Sequence, residues 1–391
     1  MPVRIFAYRL YPTRSQKRLL EQTIETCRRL YNDCLAERRD VYESTGRTVT
    51  KVEQLRHVKE VKAANSYARD VHSHILQVAV ADLDKSFRNF FRRVKTGEKP
   101  GYPRFKGRDR FDSFGLKEYG NGFRINGRRL KLSGIGRIAV RWHRELPSEP
   151  STLRVVRKAD GWYGCFACEV AQENLPTTGK MTGLDVGVKS LITESDGTET
   201  ENPKWYRDGQ KNLRVLQRSV YRKKIDGSNR RKAVARLRLH HLKVSRQRKD
   251  FLNKLAERLI RENDLIALEQ LKISNIVKNR HLSKSILDAG WNYLIQRLTS
   301  KAEEAGRVVI LVNPANTSRS CSACGHVFEG LKLSHRRVTC PECGLSLNRD
   351  HNAAINILSR GLQALANRDG QFLWAPSTVK SEVFAQEAVG F

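Results

Sequence analysis

Four cysteines near the carboxyl end of the chain have the spacing of a metal site. Cys321 and Cys324 form one C-x-x-C pair, and after fifteen further residues Cys340 and Cys343 form a second. Two such pairs bring four thiolates to one ion, which is the tetrahedral sulfur shell that Zn²⁺ prefers. Because four thiolates leave no open coordination position, the spacing predicts one structural rather than catalytic Zn²⁺.

Glycine follows the second cysteine of each pair, as Gly325 and Gly344. The turn of such a knuckle needs a residue with positive φ, which glycine adopts without steric cost. We therefore predict a knuckle at each pair. His326 and His335 lie nearby in the sequence, and we expect them to be ordinary surface residues.

The remaining cysteines have patterns typical of packing. Cys165 and Cys168 also form a C-x-x-C pair, but they lie in a strand-like segment, where residues three apart point to opposite faces. Cys27 and Cys34 lie seven residues apart in a helical pattern and share one face. We expect all four to be structural.

Three acidic residues could form a second metal site. Asp185 follows an apolar strand pattern, Glu269 ends another, and Asp350 stands at the start of a helical pattern. Each one alone is commonplace, as a turn residue, a solvated strand end or a helix cap. Their joint placement is more specific, because an early strand, a later strand and a terminal helix each contribute one carboxylate.

The elements that carry these acids follow the order βββ-α-β-α-β-α, which is the RNase H-like plan. In that plan the three carboxylates converge at the sheet. Carboxylate oxygens suit Mg²⁺, and two such ions about 4 Å apart can activate water and stabilise the leaving oxygen of a phosphodiester. The sequence therefore predicts a nuclease site with two Mg²⁺ ions.

The charge of the chain indicates a polyanionic partner. Its 391 residues carry a formal net charge of +32, and the excess is spread along the sequence. Nucleic acid is the first candidate, and an anionic membrane surface is the second. Apolar runs such as Val308–Val312 are too short to span a bilayer, so we expect a cytoplasmic protein.

The segment 204–254 has the densest positive charge, and its lysines and arginines outnumber its acids several-fold. A solvated helical face is the alternative, but ion pairs within the helices cannot neutralise this excess. We predict two helices, separated near 226–229, that contact phosphates. The candidate contacts are Arg222, Lys223, Lys224, Arg230, Arg231 and Lys232. Aromatic side chains that could stack on bases or pack in the core are Tyr102, Phe105, Trp142, Trp205 and Tyr206.

The amino-terminal half combines strands and helices. A short strand at 3–11 precedes helical patterns near 13–35, 51–64 and 67–94, and many short strands with glycine turns follow from 111 to 169. We interpret this as a small barrel or sandwich with a helical insertion. The overall class is multidomain α+β.

Several stretches together resemble the TnpB (OrfB) family of transposon-encoded proteins, which are relatives of type V CRISPR effectors. They are YRLYPTRSQ, DLDKSFRNFFRRVKTGEKPGYPRFK, GLDVGVKSL, the strand ending in Glu269, CSACG with CPECG, and NRDHNAAINIL. They occur in this order over most of residues 1–360.

The resemblance implies a fold and an activity. It implies a wedge β-barrel at 1–12 and 97–175, a helical recognition insertion at 13–96, an RNase H-like (RuvC) domain at 176–315 and 348–367, a zinc ribbon at 316–347 and a mobile tail at 368–391. It also implies an RNA-guided DNA endonuclease that pairs a guide RNA from the transposon end with double-stranded target DNA beside a short motif.

The resemblance also assigns residues. Asp185, Glu269 and Asp350 match the catalytic acids, with Asp185 bridging two Mg²⁺ ions, and the four cysteines match the zinc ligands. Gln77 lies on the helix that contacts the DNA motif in relatives. We expect a monomer in a bacterial or archaeal cytoplasm, associated with the nucleoid.

Two other functions fit part of the pattern. A guided DNA-binding repressor would have lost one or more of the acids, and all three are present. A DNA transposase that performs strand transfer would use the same three acids and two metal ions, so the acids alone do not exclude it.

Overall fold

The computed structural model describes residues 2–271, 276, 278, 283–331, 335–367 and 371–374. The chain divides into two compact units, residues 1–170 and 171–391. Both units combine helices with a β-sheet, as the α+β class predicts. No helix among the described residues is long and apolar enough to cross a membrane.

Unit 1 is built on an eight-stranded sheet with the order β2-β7-β8-β1-β6-β5-β4-β3. Its central strand β1 pairs antiparallel with β8 on one side and β6 on the other. The strands are β1 (Val3–Tyr11), β2 (Ser113–Leu116), β3 (Glu118–Tyr119), β4 (Gly122–Asn126), β5 (Arg129–Leu132), β6 (Gly136–Arg141), β7 (Thr152–Lys158) and β8 (Gly161–Glu169).

The predicted wedge barrel is wrong, because this sheet is open. Its two edge strands are β2 and β3, which lie at opposite ends of the strand order. Only Lys117 separates them along the chain. Among the described residues no ladder joins these two strands to each other, so the strand order does not close.

The helices of unit 1 lie between β1 and β2 in the chain. They are α1 (Arg14–Thr45), α2 (Lys51–Ala64), α3 (Ser66–Arg69) and α4 (Ser73–Lys95). Capping boxes at Thr13 and Thr50 start α1 and α2 by satisfying free backbone N–H groups. The predicted single helix near 67–94 is interrupted at 70–72, where the His72 ring accepts a hydrogen bond from the backbone N–H of His74 and caps α4.

The cysteines predicted to pack in unit 1 do so. Cys27 and Cys34 are buried in the core. In β8, Cys168 is buried and Cys165 is half-buried on the other face, as residues three apart in a strand must be.

Unit 2 contains a six-stranded sheet with the order β11-β10-β9-β12-β13-β16. Strands β9, β12 and β13 are parallel, and the other three run antiparallel to their neighbours. The bounds are β9 (Met181–Val186), β10 (Ser190–Glu194), β11 (Glu199–Glu201), β12 (Leu265–Glu269), β13 (Val308–Val312) and β16 (Gln371–Trp374).

Helices cover both faces of this sheet, which explains why β12 is buried throughout. One core joins Ile266 and Leu268 to helices α6 and α8, and the other joins Leu265 and Ala267 to α9. The helices are α5 (Trp205–Tyr221), α6 (Ser228–Glu262), α7 (Ser283–Ala289), α8 (Trp291–Ala305) and α9 (Arg349–Asn367). The break between α5 and α6 includes Asp226, whose φ of 63° is left-handed.

Two expectations for unit 2 need correction. The amphipathic pattern of the sequence around 285–305 predicts one helix, but the structure has two, because Gly290 adopts a φ of 72° between them. The predicted mobile tail at 368–391 includes β16, which pairs with β13 and extends the sheet. Residues 368–370 and 375–391 of that tail lie outside the described residues.

Candidate functional site

Two adjacent parallel strands place Asp185 and Glu269 side by side. Leu184 of β9 pairs with Leu268 of β12, and the two acids are the next residues along their strands. Both point to the α9 face of the sheet, because Leu184 and Leu268 belong to the opposite core and side chains alternate along a strand. The register of one ladder therefore brings together two residues that are far apart in sequence.

Helix α9 brings Asp350 to the same end of the sheet. A Cβ atom at Gly183 would lie 2.5 Å from the backbone nitrogen of Leu358, and one at Gly361 would lie 2.6 Å from Cβ of Ala267. These two glycines let the helix backbone rest directly on β9 and β12. Asp350 is in the first turn of that helix, above the ends of the strands that carry the other two acids.

Asp185 is affected electrostatically by the other two acids. Burial is the main cause that raises the pKa of Asp185 well above its usual value, and the charges of Glu269 and Asp350 raise it further. Burial also raises the pKa of Glu269, against the opposing hydrogen bond from Thr317. This concentration of poorly solvated negative charge favours a bound cation.

Two arginines lie beside Asp350. Nη2 of Arg349 is 3.3 Å from one carboxylate oxygen, and Nη1 of Arg336 is 3.8 Å from the other. Arg349 also acts against the raised pKa of Asp185. The donor set of three carboxylates still fits Mg²⁺, which prefers such oxygens and retains some waters.

The four predicted zinc ligands meet in a separate cluster. Among the described residues, their sulfur atoms form the one group of three or more potential ligand atoms within 4.8 Å of one another. Sγ of Cys321 is 3.6 Å from Sγ of Cys343, and Sγ of Cys324 is 3.5 Å from Sγ of Cys340. A tetrahedron with Zn–S bonds of about 2.3 Å has edges of about 3.8 Å, so the cluster fits Zn²⁺.

The turns around this cluster have the predicted knuckle form. Gly325 and Gly344 adopt φ values of 78° and 73°, and each donates its N–H to the carbonyl of the first cysteine of its pair. Burial opposes ionisation of Cys321, but backbone N–H groups of Cys324 and Ala323 lower its pKa to about 7. A short hairpin, β14 (Arg337–Thr339) and β15 (Ser346–Asn348), supports the second pair.

Among the described residues, the four thiols form a group whose ligand atoms all lie within 4.8 Å of one another, and the three carboxylates do not. A site for two ions about 4 Å apart spreads its ligands over a larger volume than a one-ion site. The two candidate centres therefore differ in ligand chemistry and in size.

The six candidate phosphate contacts divide into two groups around the turn between α5 and α6. Lys223 donates to the carbonyl and the hydroxyl of Ser219, and Arg230 donates to the carbonyls of Val220 and Lys223. These two side chains therefore brace the turn. The exposed members are Arg222, Lys224, Arg231 and Lys232.

Other candidate contacts also differ in their environment. Gln77 is half-exposed on α4, and its side-chain oxygen accepts a 2.8 Å hydrogen bond from Lys117. Trp142 packs against Tyr8 with ring centroids 4.6 Å apart. Tyr102 and Phe105 are exposed, so they are available for stacking.

Sequence reasoning missed the residues that hold the acids in place. Thr317 contacts Glu269, and Asn352 and Asn356 attach α9 to the loop before the first cysteine pair. Gly183 was visible in the sequence as a glycine inside a strand, which is a known sign of close backbone approach. The other contacts depend on the tertiary fold.

Three family models match parts of the chain. They are described as "Probable transposase" at residues 165–280, "Cas12f1-like, TNB domain" at 291–357 and "Helix-turn-helix domain" at 1–47. In this structure, residues 3–45 form one strand and one continuous helix. The third description therefore does not match the local structure.

Similar proteins cover nearly the whole chain. A Streptomyces pristinaespiralis protein with the name "Putative RNA-guided DNA endonuclease" is 36% identical over 94% of this chain and 91% of its own. The Escherichia coli K12 protein InsQ, with the same description, is 29% identical over 92% and 93%. A solved Cas12f1–sgRNA–target DNA complex matches with a TM-score of 0.57 at 15% identity, covering 88% of this chain and 82% of that one, which supports a shared fold.

The extended match at 36% identity and the family models agree with the motifs in the sequence. The chain belongs to the TnpB (OrfB) family.

Proposed function

We propose that this protein is an RNA-guided DNA endonuclease of a transposable element, and that it cleaves DNA in the carboxylate site of unit 2. The main support is the placement of Asp185, Glu269 and Asp350 at one end of the sheet. The names of the two similar proteins support the guided activity.

We propose that the three acids have different roles as metal ligands. Asp185 lies next to Glu269 across one ladder, and the charges of both other acids raise its pKa; we propose that it would help to hold both Mg²⁺ ions. Glu269 and Asp350 would each hold one ion. When bound, the ions would supply an activated water and stabilise the leaving 3′ oxygen, giving 5′-phosphate and 3′-hydroxyl ends.

The partners in this proposal are a guide RNA from the transposon end and double-stranded target DNA. A net charge of +32 and the exposed cations near the α5–α6 turn suit phosphate backbones. Base pairing would supply the sequence specificity, beside a short motif that the protein reads. We further propose that the protein acts as a monomer in the cytoplasm and that the cysteine cluster holds one Zn²⁺.

The test begins with purification from cells that carry the flanking transposon DNA. We expect one abundant RNA that maps to the transposon end and has a variable 3′ segment. A guide reprogrammed in that segment should redirect Mg²⁺-dependent cleavage, and Asp185→Ala should abolish cleavage while guide and target still bind. Cleavage that ignores the guide sequence would contradict the proposal.

A DNA transposase is the second candidate, and the "Probable transposase" description of the matched model favours it. It would use the same acids for strand transfer. Incubation with transposon-end DNA and no RNA distinguishes the two, because joined DNA products would support the transposase. A guided repressor would bind without cutting, although all three acids are present.

A further inference from the structure

One face of α9 is fastened to the loop that follows β13. The side chains of Asn352, Asn356 and Arg360 lie four residues apart and so share that face. Nδ2 of Asn356 donates to the carbonyl oxygens of Thr317 and Ser320 at 2.8 and 2.7 Å. The helix that begins with Asp350 therefore fixes the path of this loop.

The other two side chains extend the attachment in both directions. Arg360 donates to the carbonyl oxygens of Asn313 and Ala315 at 2.9 and 2.6 Å. Asn352, which is fully buried, donates to the carbonyl of Ser320 and accepts from the N–H of Ser322. Its amide therefore spans Cys321, a predicted zinc ligand.

The loop in turn holds Glu269. Thr317 is 1% exposed and Glu269 is 9% exposed, and the threonine hydroxyl donates to Oε1 of the glutamate. The carbonyl of Pro314, 3.1 Å away, is a second acceptor for the same hydroxyl. The terminal torsion of a glutamate is only loosely restricted, so a hydrogen bond to Oε1 limits the orientations that the carboxylate adopts.

We propose that Thr317 is a positioning residue for the Glu269 carboxylate. The loop anchored by α9 thereby fixes the position of Glu269 relative to Asp350. Asp350 is carried by α9 directly, and Glu269 is oriented through Thr317, whose carbonyl is bound by Asn356 of the same helix. The hydroxyl occupies one carboxylate oxygen and leaves the other to face a metal ion. Hydrogen bonds of this kind to a ligating carboxylate are worth about 10–100-fold in metal affinity.

This inference rests on the metal site of the proposed function. The test compares Thr317→Val, which removes the hydroxyl at nearly constant volume, with Thr317→Ser, which retains it. Thr23→Val is the matched control, because Thr23 is a buried threonine in α1 whose hydroxyl donates to the carbonyl of Leu19 in the same helix. The probe is Mn²⁺, which accepts the same oxygen ligands, and binding is followed by electron paramagnetic resonance without any DNA.

We expect Thr317→Val to weaken Mn²⁺ binding by about 10-fold or more. Thr317→Ser should restore it to within about 3-fold of wild type, and Thr23→Val should not change it. Guided cleavage at limiting Mg²⁺ should follow the same order. Equal affinity in Thr317→Val and wild type would overturn the proposal, as would a serine variant as weak as the valine variant.

Two further measurements keep the test decisive. Zinc content and thermal unfolding show whether Thr317→Val is folded; if it is not, Asn356→Ala replaces it, with a smaller expected loss of Mn²⁺ affinity and no change in zinc content. Unchanged Mn²⁺ affinity in a folded Asn356→Ala protein would then overturn the proposal. Failure of the wild type to bind Mn²⁺ at the three acids would instead contradict the proposed function.

Discussion

The two candidate metal centres of unit 2 are assembled in different ways. The cysteine cluster comes from two short turns within residues 321–344, each closed by its own glycine. The carboxylate site draws on β9, β12 and α9, so it exists only after the sheet and its covering helix have formed. The first is a property of local spacing, whereas the second is a property of the tertiary fold.

This difference predicts different costs of mutation. A centre whose ligands satisfy a metal and the local turns should stabilise the structure around it. A centre that crowds buried carboxylates should destabilise the protein until a cation binds, because the ionised forms are poorly solvated. Substitutions at the two centres should therefore change stability in opposite directions.

The largest effect is expected at Asp185. Asp185→Asn should reduce guided cleavage by at least about a thousandfold, equivalent to roughly 4 kcal/mol of transition-state stabilisation. It should also raise the melting temperature of the metal-free protein, by roughly 2–4 °C per kcal/mol in a unit of this size. The reason is that the native fold raises the pKa of Asp185, which makes ionisation of the native state unfavourable.

The pH dependence of the increase in melting temperature of Asp185→Asn tests its electrostatic cause. Below the pKa of Asp185 in the unfolded chain, the wild-type carboxyl is neutral in both states, and the variant should have no advantage. The advantage should grow as the pH rises toward the raised native pKa and then level off. Thermal unfolding of both proteins in EDTA across this range measures it, and a gain that is independent of pH would exclude the electrostatic explanation.

The next largest effect is expected at Cys321, where a substitution should lower the stability of the protein instead of raising it. Cys321→Ser should reduce bound zinc from about one ion per chain to nearly none and lower the melting temperature, because the metal is linked to local folding. Cleavage should fall as a consequence. The matched control is Cys165→Ser, which changes a half-buried thiol in a strand of unit 1. Metal analysis that finds wild-type zinc content in Cys321→Ser would refute the assignment.

The same contrast explains what the sequence could predict. The zinc ligands and the knuckle glycines were predicted from spacing alone, because the residues that must meet are close in the chain. The acids required the order of elements and a family resemblance. Thr317 could not be found in this way, since its contact with Glu269 depends on how β13, the following loop and α9 pack.

The fold was predictable to a similar extent. The helix predicted at 51–64 has the observed bounds, the helix predicted near 13–35 continues to Thr45, and strands end close to Asp185 and at Glu269 as predicted. The predicted barrel was wrong because closure of a sheet depends on pairing between its edge strands, which the pattern of each strand does not show. Strand β16 was missed, and a tail was predicted in its place, because no local pattern in the sequence indicates a strand there. The strand forms by pairing with β13, which is distant in the chain.

A smaller effect is expected where α9 rests on the sheet. Gly183→Ala would place a methyl group against the backbone of Ala354 and Leu358, and overpacking of this kind costs about 1–3 kcal/mol. Because the helix carries Asp350, cleavage should decrease by more than the loss of folded protein explains. Cys321→Ser and Gly183→Ala should differ in zinc content, which the glycine variant retains.

A matched control for the glycine substitution is available in unit 1. Apart from its two chain neighbours, no described residue has an atom within 4 Å of a Cβ added at Gly107. Its φ is −68°, so Gly107→Ala should be neutral for stability. Equal cleavage per folded molecule in Gly183→Ala and wild type would show that the position of α9 is not critical for the acids.

The smallest effect is expected at the turn between α5 and α6, where charge is spread over several side chains and no single residue defines a centre. Arg231 is exposed, so Arg231→Ala should weaken nucleic-acid binding only modestly and reduce the salt dependence of affinity by about one phosphate contact. Arg230→Ala should instead lower stability, because Arg230 braces the turn through two carbonyls. Titration of RNA binding at several salt concentrations separates these cases. If the salt dependence of RNA affinity in Arg231→Ala equals that of the wild type, this turn does not contact phosphates. The contrast between the two metal centres would not be affected by that result.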